Sequence, residues 1–116
     1  MHQLVMAFVN SSRALTHLAR NEKAVQQELL LFVLSIPLAA LTAPSAQAFL
    51  LLTGSLLFLI MVEVINTGIE AACDAVSGDF RHEIQIAKDC GSLAVLICIV
   101  LVGMIWLYTL WHVVFP

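Results

Sequence analysis

Charge is scarce in this sequence: 11% of its 116 residues are Asp, Glu, Lys or Arg, while 61% are hydrophobic. A soluble domain carries about a quarter of its residues as charges, so this balance and a mean hydropathy of +0.99 point to the bilayer as solvent. The five basic residues form no patch that could follow a phosphate backbone, which excludes nucleic acid as a partner. Glycine is thin as well. Its five copies, at positions 54, 68, 78, 91 and 103, make neither G-x-x-x-x-G-K-[ST] nor G-x-G-x-x-G, so the usual nucleotide cradles are excluded. The three cysteines, Cys73, Cys90 and Cys98, contain no C-x-x-C pair and are odd in number. That argues against a disulfide framework or zinc site and for reduced packing residues. A basic start followed by a long apolar core and a small-residue cleavage site is missing too, so the N-terminus does not read as a signal peptide.

Apolar runs are what the chain has in plenty. Three spans are expected, at about 25–43, 46–65 and 91–114, in an all-α chain of a single membrane-embedded domain. Pro37 should bend the first by removing a donor and crowding the carbonyl four residues back. Pro44, in the short uncharged link T-A-P-S-A-Q, closes it and sets up a helical hairpin. The second helix should continue past the lipid boundary to about Val76, where Ser77-Gly78-Asp79 supplies a turn. Trp106, Tyr108 and Trp111 read as interfacial anchors of the third span. Ahead of the spans, about 4–23, apolar residues at three-to-four spacing oppose Arg13, Thr16, Arg20 and Lys23, the pattern of an amphipathic helix lying in the membrane interface.

All five basic residues (Arg13, Arg20, Lys23, Arg81, Lys88) fall before the first span or between the second and third. These regions should face the cytoplasm, leaving the C-terminus outside. The acids gather on the same side. Glu63, Asn66, Glu70 and Asp74 are spaced by three, four and four. At about 100° per residue they share roughly 80° of one helix face. Glu63 falls roughly 26 Å along the second helix, at the lipid boundary, and Glu70 lies about 10 Å further on, so one carboxylate can meet a lipid and the other a soluble reagent. Hard oxygen ligands without His or Cys partners favour Mg²⁺, held by one or two carboxylates together with substrate phosphates.

With these residues in place, V-E-V-I-N-T-G-I-E-A-A-C-D at Val62 to Asp74 and A-K-D-C-G-S-L-A-V-L at Ala87 to Leu96 resemble the bacterial integral-membrane diacylglycerol kinase family, which includes undecaprenol kinases. Asn21-Glu22 with Gln27-Glu28 is a third match, and the G-S after A-K-D leans toward the diacylglycerol kinases of Gram-negative bacteria. The resemblance implies a homotrimer in the bacterial inner membrane, with sites shared between subunits, that moves the γ-phosphate of MgATP to the primary hydroxyl of diacylglycerol. It implies Glu63 as general base, Glu22 and Glu70 as carboxylates holding Mg²⁺ on ATP, and Asn66 orienting Glu63 or the lipid. Lys88 and Asp89 are implied to contact the phosphate and adenosine parts of the nucleotide, in a loop-side site with Asp79, Phe80 and Arg81. Gln3, where the family often has a basic residue, and Asn10, where an aromatic is common, are further nucleotide candidates. Glu28 and Ser92 are candidates for the lipid.

Other readings stay open at this point. Glu28 is equally suited to bond near Ser92 or to meet headgroups, Asp74 to pair with Lys88 or Arg81, and Gly91 with Ser92 to let the third span pack closely. His82 and Glu83 read as solvated loop residues, and His2, His17 and His112 as interfacial residues without chemistry. Undecaprenol kinase is the alternative within the family. A proton-coupled transporter is more distant, since it needs an acid deep in a span. A haem-binding anchor would need histidines inside the spans, and only His112 comes near one.

Overall fold

The structure, a computed structural model, describes residues 1–76 and 81–116; the turn expected at Ser77-Gly78-Asp79, and Phe80, lie outside the described residues. Four helices follow one another: α1 His2–Asn21, α2 Lys23–Thr42, α3 Ala46–Val76 and α4 His82–Val114. The last three are long and apolar enough to cross a membrane. At 31 and 33 residues, α3 and α4 exceed the roughly 20 that span the hydrocarbon. Their surplus lies at the charged end, and α4 begins at His82, well ahead of the span expected from Gly91, so Lys88 and Asp89 ride on ordered helix.

Each break between the first three helices has a local cause. Glu22 alone separates α1 from α2, with extended backbone at φ −107 and ψ 113. This elbow is held from both sides. The Glu22 N–H donates to the Leu18 carbonyl, and the Gln26 side-chain amide donates at 3.0 Å to the Ala19 carbonyl, one of those α1 leaves open at its end. Leu18 and the fully buried Val25 close over the bend. Between α2 and α3, Ala43 is extended, and Ser45 caps α3 by accepting the Ala48 N–H at 3.1 Å. Pro37 lies within the unbroken span of α2, its ring depriving the Val33 carbonyl of a donor.

The core is a narrow seam. Leu56 and Leu59 of α3 pack on Cys98 of α4, flanked by Phe32, Val62, Val95, Val102 and Trp106. Trp106 differs from the expected interfacial anchor: its ring packs into this seam, and its indole N–H donates to the Leu52 carbonyl of α3 at 3.2 Å. Tyr108 and Trp111 are exposed near the end of α4. Buried Ser35, Thr53 and Ser55 return their hydroxyls to their own helices, so these three groups are satisfied locally.

Candidate active site at the charged end of the helices

Because α2 and α3 run antiparallel and α4 returns along α3, the end of α1, the start of α2, the second half of α3 and the start of α4 meet at one end of the molecule. There α3 presents the face expected from its spacing. Glu63 and Asn66 are buried, Glu70 is half-buried one turn further out, and Asp74 is exposed at the rim. The Asn66 amide donates to Glu70 Oε1 at 3.5 Å, and the other amide atom, Oδ1, is buried with no partner.

Asn66 stands where it does because residue 91 is glycine. Gly91 is buried in α4 directly against Asn66, and a Cβ added there would overlap Asn66 Oδ1; the same atom at Gly54, Gly68 or Gly103 would meet nothing within 4 Å. The close packing of α4 at Gly91 is therefore made on the acidic face of α3. Glu28 of α2 is buried nearby, with Oε1 unpartnered. Glu63 lies within electrostatic reach of Glu22, Glu28 and Glu70, so four carboxylates from the elbow, α2 and α3 share one neighbourhood.

Above them opens a cavity of about 390 Å³ between α1 and α3, lined by Ala14, His17, Leu18, Glu22, Val64, Thr67, Gly68, Glu70, Ala71 and Asp74. The elbow brings Glu22 to this wall opposite Glu70, although most of the chain between them is the α2–α3 hairpin. Among the described residues no three His, Cys, Asp or Glu side chains converge to hold a metal by themselves. Two carboxylates facing one cavity still fit Mg²⁺, which takes much of its shell from water and substrate phosphates. Lys88 reaches across from α4 to Asp74, Nζ to Oδ1 at 2.9 Å. Lys88 lies ahead of the expected third span, and the hydrogen bond and charge of Asp74 hold its ammonium above the ordinary lysine range.

Other expected site residues stand apart. Asp89 is exposed and accepts from the Gln85 amide at 2.8 Å, Ser92 and Arg81 are exposed, and Asn10 accepts from Arg13 on the surface of α1. Gln3 is exposed near the start of α1, and Asp79 and Phe80 lie outside the described residues. Conversely, His17, set aside by sequence reasoning, is part of the cavity wall. Its only sequence signal is its place one helical turn before Asn21-Glu22, which carries meaning once the elbow is known.

The family model described as prokaryotic diacylglycerol kinase matches residues 9–110. The chain is similar to the diacylglycerol kinase of Escherichia coli strain K12, 34% identical over 91 residues covering 78% of this chain and 75% of that one. Similar, too, are the diacylglycerol kinases of Haemophilus influenzae, 33% over 88 residues covering 75% and 74%, and of Pseudomonas aeruginosa, 36% over 88 residues covering 75% and 71%. With a match across nearly its whole length, three helices fit to cross a membrane and the acidic face of α3 at their common end, the chain belongs to the prokaryotic diacylglycerol kinase family.

Proposed function

We propose that the protein is a membrane lipid kinase that transfers the γ-phosphate of ATP directly to the primary hydroxyl of diacylglycerol, giving phosphatidic acid and ADP. The observation that carries this is the two-level arrangement of carboxylates: Glu22 and Glu70 face an open cavity, while Glu63 is buried deeper along the same helix. A charged reagent can enter from water above, and an alcohol at the lipid boundary can approach from below.

In this reading Glu22 and Glu70 would hold Mg²⁺ together with the triphosphate, where the ion would supply charge neutralisation. Glu63 accepts the hydroxyl proton as the new O–P bond forms and the bond to the departing ADP breaks. Asn66 keeps Glu70 in place through its amide, and so orients the acidic face around Glu63. Lys88 and Asp89 contact phosphate and adenosine, with Lys88 exchanging Asp74 for phosphate. Phosphoryl transfer asks mainly for positioning and charge stabilisation, so this set suffices without a covalent phosphoenzyme. Glu28 and Ser92 would border the lipid, and Gln3, Asn10, Asp79, Phe80 and Arg81 the nucleotide. As the family resemblance implies, we take the protein to be a homotrimer in the bacterial inner membrane; the placement of the basic residues supports a cytoplasmic N-terminus and active site and a periplasmic C-terminus.

The test is transfer of labelled γ-phosphate from ATP, with and without Mg²⁺, to diacylglycerol and separately to undecaprenol by the purified protein in mixed micelles. Mg²⁺-dependent labelling of diacylglycerol is expected. Labelling of undecaprenol instead would keep the mechanism and change the acceptor, and labelling of neither would remove the kinase reading.

A further inference from the structure

A triphosphate entering the cavity between α1 and α3 meets Glu22, Glu70 and Asp74 on its wall, three groups that repel it when ionised. Mg²⁺ offsets part of that repulsion, but phosphate oxygens facing away from the ion still need donors. Among the described residues of the wall, few can donate. Thr67 gives its hydroxyl to the Glu63 carbonyl at 2.9 Å, and Lys88, outside the wall, already shares Asp74. The remaining side chain with an N–H is His17.

The ring of His17 is held in place from its own helix. Asn21 Nδ2 lies 2.8 Å from the His17 carbonyl and 3.2 Å from His17 Nδ1, so a single amide fixes both the backbone and the ring. With Nδ1 accepting, the ring proton sits on Nε2, the nitrogen with no partner among the described residues. The same side chain borders the shallow basic groove formed along α1 by Ser12, Arg13, Thr16 and Arg20, so it stands where that groove runs into the acidic cavity.

We propose that His17 is a nucleotide-binding residue of this site, its Nε2–H donating to a phosphate oxygen of ATP while Glu22 and Glu70 hold the metal. The inference rests on the kinase reading and adds α1 to the nucleotide pocket through a residue whose orientation Asn21 sets. A donor of this kind, charge-assisted by the phosphate, strengthens binding of the nucleotide without touching the acceptor alcohol.

The experiment compares His17→Leu, His17→Gln and the distant control His112→Leu in two measurements: equilibrium binding of ATP with and without Mg²⁺, and kinetics with ATP and diacylglycerol varied separately. His17→Leu should raise both Kd and KM for ATP about tenfold, as expected for loss of one charge-assisted hydrogen bond, with the diacylglycerol KM unchanged. His17→Gln, which keeps an amide donor, should recover part of the loss, and His112→Leu should match the parent. Unchanged ATP affinity in His17→Leu, equal losses in the Leu and Gln variants, or a rise confined to the diacylglycerol KM would each overturn the assignment. A parent protein that binds ATP but transfers no phosphate would remove the kinase reading and leave the binding comparison to decide His17 alone; a parent that does not bind ATP removes both.

Discussion

A carboxylate that takes a proton from an alcohol must be screened from bulk water, and Glu63, the proposed base, is so placed. It is 9% exposed, at the inner end of a face whose outer members, Glu70 and Asp74, are open to the cavity. Glu63→Gln keeps the shape and removes the proton acceptor. Turnover should fall by about 10²–10⁴-fold while ATP binding, measured by equilibrium dialysis, stays close to the parent's. Near-normal turnover would sink the base assignment. At this scale, the α3 residues were legible in the sequence because their spacing matches the helix period. His17 was not, because nothing in its own neighbourhood shows that Glu70 will stand across from it; the elbow at Glu22 creates that meeting. Trp106 misled for a related reason. Its place near a span end fits an anchor, while the seam it enters is built by Leu52 and Leu56 of another helix.

The relation of α3 to α4 turns on one contact. Gly91→Ala adds a methyl group where Asn66 Oδ1 already stands, and both residues are buried, so the helices must part or Asn66 must turn away from Glu70. Alanine would ordinarily favour a helix by about 0.5–1 kcal/mol, but overpacking of this kind costs about 1–3 kcal/mol. The net expectation is a loss of stability together with weaker ATP binding, read by thermal unfolding in micelles against Gly103→Ala, where the added methyl meets nothing within 4 Å. Equal stability of the two variants would show that the contact does not set the helix spacing. The helices themselves were legible from apolar runs and from Pro44, whose fixed backbone ends one and starts the next. The early start of α4 was harder to see. His82 to Cys90 is too polar to read as membrane, and polarity in a short link between spans resembles a loop until the helix carrying it is seen to continue unbroken into Gly91.

Taken whole, the chain is a plate, 54 × 39 × 23 Å, about two helices thick. A compact soluble chain of its 12.7 kDa would expose roughly 6,200 Å². This one exposes 8331 Å², with leucines, isoleucines and valines of α2 and α4 turned outward along their length. Lipid can cover such flanks, but lipid cannot complete a cavity whose described wall comes from α1, the elbow and α3. The proposed homotrimer covers both needs, and chemical cross-linking in mild detergent should stop at three copies, with kinase activity confined to that species; an active monomer would count against shared sites. The elbow adds a constraint of another sort. Only Glu22 parts α1 from α2, so the chain has no slack there, and one residue inserted between His17 and Glu22 would turn His17 by about 100° around the helix axis relative to everything that follows. A change of length near the end of α1 moves a whole wall of the cavity out of register with Glu70. The joint works as a ruler, and its tolerance is less than one residue.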